Sequence, residues 1–174
     1  MESATPSALV VMGVSGSGKS TIAAAVAARA RAVFLDADDF HPASNTAKMA
    51  GGVPLTDDDR WPWLAAVGDQ IADRLASGVS VVMACSALKR SYRDALRERG
   101  GDRVSFALLH GSPELLESRI AARTGHFMPT ALLKSQLATL EPLEVDEAGF
   151  VVDVAGTPSE IADATFAKWH ADRP

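Results

Sequence analysis

Apolar positions gather in five short clusters along the chain: Leu9–Met12, Ala32–Leu35, Val79–Ala84, Val104–Leu109 and Phe150–Val154. Several are unbroken apolar runs, the pattern of strands covered on both faces. Between them the spacing changes to the helical period. Thr21–Ala30 is rich in alanine, and Trp63–Ala76 places Leu64, Val67, Ile71 and Leu75 on one helical face. Two further helices announce their starts. Ser112-Pro113-Glu114 supplies a cap, a proline for the first turn and an acid near the positive end of the dipole. Thr157-Pro158-Ser159-Glu160 repeats that grammar as a capping box for the last helix. Alternating strands and helices predict right-handed crossovers and an α/β fold, with a five-stranded, mostly parallel sheet flanked by helices. With no repeat or linker, residues 1–174 read as a single domain with frayed ends.

Composition narrows the class. Hydrophobic residues make up 47% of the 174 and charged residues 22%, which excludes extended disorder. Seventeen basic against 22 acidic residues leave a net charge of −5. That balance argues against nucleic acid or an anionic membrane as partner. An anionic ligand must therefore meet a local group of positive charges. The single cysteine, Cys85, forbids an intrachain disulfide and reads as a small buried residue. His41, His110, His126 and His170 show no short zinc-ligand spacing. No apolar run approaches the roughly 18 residues of a membrane span. Met1–Ser7 lacks the basic and apolar regions of a signal peptide, so a cytoplasmic location is expected.

One motif carries chemistry outright. Gly13-Val14-Ser15-Gly16-Ser17-Gly18-Lys19-Ser20-Thr21 fits G-x-x-x-x-G-K-[ST], preceded by an apolar strand and followed by the alanine-rich helix. Its glycines let successive backbone N–H groups turn inward as an anion nest, and the helix N-terminus adds its dipole. Lys19 is expected to reach the β- and γ-phosphates of a nucleoside triphosphate, and the Ser20 hydroxyl to ligate Mg²⁺. The loop does not name the acceptor. No N-K-x-D element for guanine is present.

The acceptor side is sought at the end of the second strand, Phe34-Leu35-Asp36-Ala37-Asp38-Asp39. Carboxylates at i and i+2 on a strand end point to the same side. One could hold a metal-bound water, the other orient or deprotonate a hydroxyl acceptor.

Here the chain resembles a known family. Asp36–Gly51, with His41, Pro42, Asn45, Lys48 and Met49, and its continuation through Pro54-Leu55-Thr56-Asp57-Asp58-Asp59-Arg60-Trp61-Pro62-Trp63-Leu64 are similar to the gluconokinase signature. So are Ala84–Arg93, Gly125-His126-Phe127-Met128 and Ser135-Gln136. The resemblance implies a fold like that of adenylate and shikimate kinases, with a lid near residues 124–136. It implies transfer of phosphate from ATP to the 6-hydroxyl of D-gluconate, Mg²⁺ as cofactor, and a homodimer. By the same resemblance Arg119 lies against the adenine and Arg123 reaches the phosphates.

Residue chemistry fits such a substrate, a polyol with a carboxylate. Arg60 follows three acids near a helix start, where a cation is out of place, and is a candidate carboxylate clamp. Lys89 and Arg90 follow the third strand, on the edge where parallel sheets bind ligands. His41 is equally a hydroxyl partner or a loop histidine, and Lys48 equally a site residue or a solvated one. Trp61 and Trp63 read as core and cleft wall. His126 and Gln136 are candidates from the lid side. Asp38 is expected to orient the acceptor and Asp36 to steady Mg²⁺. Two alternatives share the loop: a kinase of another small polar acceptor such as shikimate, and a non-catalytic ATP-sensing regulator.

Overall fold

The computed structural model describes residues 4–122 and 130–173. Its centre is a five-stranded parallel sheet of order β2-β3-β1-β4-β5. The strands are β1 (Ala8–Met12), β2 (Val33–Asp36), β3 (Val81–Ala84), β4 (Val104–His110) and β5 (Gly149–Asp153). The helices are α1 (Lys19–Ala30), α2 (Ala43–Ala50), α3 (Asp57–Ala76), α4 (Arg90–Gly100), α5 (Pro113–Ala122), α6 (Thr130–Thr139) and α7 (Pro158–Ala171). Short 3₁₀ turns cover Ala37–Phe40 and Gly101–Arg103.

The middle strand explains the unbroken apolar runs. All five residues of β1 are fully buried, because helices cover both faces. Side-chain alternation then divides the core in two. Leu9 and Val11 pack with Ile22 and Val26 of α1 and Ile161 and Trp169 of α7. Val10 and Met12 pack with Leu64, Val67 and Ile71 of α3 and Leu96 of α4.

Boundaries differ from the periodicity where caps decide them. The apolar run at Val79 is not yet strand: Gly78 has φ +79°, and the Val79 N–H donates back to the Arg74 carbonyl at 2.9 Å to close α3. At its other end α3 starts at Asp57, six residues before Trp63, and carries Pro62 inside. Thr56 Oγ1 accepts the Asp59 N–H at 3.1 Å, and an Asp59 carboxylate oxygen accepts the Thr56 N–H at 2.9 Å. This is a complete capping box with aspartate in place of the usual glutamate. At α7 the Thr157 hydroxyl accepts the Glu160 N–H at 3.2 Å, one half of the capping box its sequence predicts. β2 ends on Asp36 itself, so that carboxylate sits at the carboxyl edge of the sheet beside the loop that follows β1.

Candidate active site

The phosphate loop connects β1 to α1, with Gly18 as N-cap of the helix at φ +88°. Side chains are excluded at two of its glycines by more than φ. A Cβ on Gly13 would stand 3.0 Å from the Leu109 carbonyl, and one on Gly16 only 2.7 Å from Ile120 of α5. The loop is braced on both sides. Gly13 N–H donates to the Ser86 carbonyl after β3 at 3.3 Å, and the Ser17 hydroxyl donates to Val14 O at 2.6 Å. Lys19 Nζ donates to the same Val14 oxygen at 3.2 Å, which curls its ammonium over the loop. Ser15 N–H donates to Gln136 Oε1 at 2.7 Å.

The carboxylate pair of β2 lies beside this loop. Ser20 Oγ donates to Asp36 Oδ2 at 3.0 Å, while Asp36 Oδ1 accepts the Asp38 N–H at 3.0 Å and so caps the 3₁₀ turn. A hydroxyl and a carboxylate in contact, next to a phosphate cradle, are the hard-oxygen donors that Mg²⁺ takes alongside substrate phosphates. The Asp38 side chain is 84% exposed. Its pKa is nonetheless raised, first by partial withdrawal from bulk water and then by the Asp36 charge, with His41 and Lys19 opposing.

The acceptor-side cations are each partnered. Lys89 Nζ lies 3.2 Å from Asp57 Oδ2, and Tyr92 donates its hydroxyl to Asp57 Oδ1 at 2.5 Å. Arg60 donates to the Leu55 carbonyl at 2.8 Å and lies 3.6 Å from Asp57. Arg60 and Lys89 both stand 5.5 Å from the Tyr92 ring centre. The Tyr92 hydrogen bond, and then that of Lys89, hold Asp57 below the usual carboxylate range. Two cations thus converge on one carboxylate at this corner. Lys48 instead pairs closely with Asp59 at 2.7 Å, which ties α2 to the cap of α3.

Other expected residues separate. Arg90 is bound by Asp94, Glu144 and Asp146, whereas Lys89 pairs with Asp57. Arg119 donates to the Gly156 carbonyl at 3.2 Å, in the turn before α7. Arg123 and His126 lie outside the described residues, as does the first part of the expected lid, residues 124–129. Its final part, α6, is a helix docked on the core through the fully buried Leu133. Gln136, a candidate gluconate contact from the lid side, accepts the Ser15 N–H of the phosphate loop here. Cys85 is buried behind β3 with its thiol pushed up to about 12 by burial, an inert position.

Sequence reasoning gave no role to Asn45, Tyr92 or Asp57. Asn45 is 2% exposed and Tyr92 4% exposed, in the core's acceptor-side rim. The only local signal was the Thr56-x-x-Asp59 spacing, which fixes where α3 begins and hence where Asp57 points.

A model of the AAA domain matches residues 9–143. A probable gluconokinase from Rattus norvegicus is 46% identical over 93% of this chain and 97% of its own length. The chain belongs to the gluconokinase family. A thermoresistant gluconokinase from Escherichia coli K12 is 50% identical, with 83% of each chain covered. A crystal structure of a gluconokinase from Sinorhizobium meliloti superposes with a TM-score of 0.87 at 49% identity, covering 98% of this chain and 95% of that one.

Proposed function

We propose that the chain transfers the γ-phosphoryl group of ATP to the 6-hydroxyl of D-gluconate, giving 6-phosphogluconate and ADP. The observation that carries this reading is the juxtaposition of the phosphate loop with Ser20, Asp36 and Asp38, in a chain 46–50% identical to gluconokinases. Backbone N–H groups from Gly13 to Ser20 hold the phosphates, and Lys19 swings from Val14 O to the transferring group. Asp38 orients the acceptor hydroxyl and accepts its proton as the new P–O bond forms. Arg60 and Lys89 face the sugar-acid carboxylate, and Lys48 supports that wall through Asp59. Arg119 lies against the adenine, and Arg123 adds charge at the phosphates. Ser20 and Asp36 would hold Mg²⁺, directly or through water; the ion neutralises phosphate charge when bound. Most of the acceleration is positioning and electrostatics. A homodimer and a cytoplasmic location belong to the same reading.

The test is ADP release from Mg²⁺-ATP in a coupled assay with gluconate, related sugar acids, shikimate or no acceptor. Release that requires gluconate supports the reading. Equal release without acceptor, or preference for shikimate, overturns it.

A further inference from the structure

His41 has its protonation site fixed by its surroundings. Asn45 Nδ2 lies 2.8 Å from the Asp59 carbonyl oxygen and 3.3 Å from His41 Nδ1. A carbonyl oxygen only accepts, so the Asn45 atom facing it must be the NH₂ nitrogen. That nitrogen only donates, so its second hydrogen goes to His41 Nδ1, which must therefore carry the lone pair. Burial also lowers the imidazole's pKa, and the side chain is only 5% exposed, so the ring holds one proton at neutral pH. The proton sits on Nε2, and Nε2 faces Asp38 Oδ1 at 3.8 Å.

The ring cannot easily turn away. It stacks on Trp63, centroid to centroid 4.2 Å with planes 14° apart. Trp63 in turn donates its indole N–H to the Ala37 carbonyl at 2.7 Å, in the same 3₁₀ turn that carries Asp38. Asn45 is itself 2% exposed, so its amide has no solvent alternative. The Asp38 side chain, by contrast, is 84% exposed, and a shift of under about 1 Å would bring the 3.8 Å separation to hydrogen-bond length.

We propose that Asn45 and His41 form a positioning pair: Asn45 keeps the imidazole proton on Nε2, and that N–H holds one oxygen of Asp38 so that the other faces the acceptor hydroxyl. His41 keeps its proton throughout, and the proton of the hydroxyl goes to Asp38. The inference rests on the role given to Asp38 above.

Two measurements test it. Nitrogen-15 NMR of the wild-type histidines, with His41 assigned by its loss in a variant, reports the tautomer directly. A neutral ring protonated on Nε2 is expected; a ring protonated on Nδ1, or a cationic ring at pH 7, overturns the proposal. In the assay, His41→Asn puts an amide at the δ position, out of reach of Asp38. It should lower kcat about tenfold to a hundredfold, the value of a hydrogen bond to a charged group. KM for ATP should not move. His41→Gln places an amide N–H near the ε position and should recover most of the loss. Equal kcat for the two variants overturns the proposal. Asp38→Asn separates the layers: if it keeps wild-type kcat, the Asp38 assignment itself falls. If it abolishes turnover while His41→Asn keeps wild-type kcat, only the positioning pair falls.

Discussion

Lys19 shows how one side chain can serve two states. Its ammonium is held on Val14 O at 3.2 Å, a position from which it covers the loop it would later serve. Removing it should lower kcat by about a hundredfold or more, the scale of a lost charge stabiliser at a transferring group. The fold should barely notice, since the glycine geometry and the Gly13–Ser86 bond remain. A melting scan of Lys19→Ala beside its turnover number checks both halves, and wild-type turnover would remove Lys19 from the mechanism. Arg60 makes the opposite case. It is already engaged by Leu55 O and Asp57, yet shares that corner with Lys89 over Tyr92. Arg60→Ala should raise KM for gluconate about tenfold, the loss of one charge-assisted bond, and leave KM for ATP nearly unchanged. An equal rise in both constants would assign Arg60 to structure alone.

At the scale of elements, periodicity located every strand, and caps set the ends. The P-loop, β1 and α1 were legible because strand, glycines and helix are contiguous, so local rules suffice. The start of α3 was legible only in part: the three acids before Arg60 mark a helix start, but the apolar spacing begins at Trp63, and the box formed by Thr56 and Asp59 needs the fold to be seen. That box has a titrating member. Asp59 has its pKa lowered to about 2, first by the Lys48 hydrogen bond and then by the Thr56 N–H. A carboxyl depressed in the folded state binds its proton less readily there than in the unfolded chain. Its contribution to stability is therefore complete above the unfolded value, about 3.9, and is lost as pH falls toward 2. Asp59→Asn should flatten the fall in Tm across that window relative to the wild type, while Thr56→Ala should cost about 1 kcal/mol at neutral pH. Identical acid profiles for wild type and Asp59→Asn would mean the pair with Lys48 is as strong in the unfolded chain.

Across the whole molecule, what stayed illegible were contacts between distant segments. His41 with Trp63, Asn45 with Asp59, and Tyr92 with Asp57 join residues whose proximity only the folded chain decides. The largest such contact is a buried pair. Arg93 and Glu147 are both fully buried and meet at 2.7 and 3.0 Å. Arg93 also donates to the carbonyls of Ala87, Leu88 and Pro142, and Glu147 accepts the Glu144 N–H at 2.8 Å. Burial works to raise the Glu147 pKa, but Arg93 and that N–H outweigh it and hold it low. The pair fixes the segment after β3, where Ala87 sits at φ +44° between the Ser86 carbonyl that braces Gly13 and Lys89 at the acceptor rim. Glu147→Gln should cost about 3–5 kcal/mol, because it strands a buried guanidinium. Replacing both partners, Arg93→Met with Glu147→Leu, should recover most of that stability. It cannot restore the donors to Ala87 and Leu88, so KM for gluconate should stay raised in the double variant even as Tm returns. Recovery of both together would show that the pair supports the fold without holding the site.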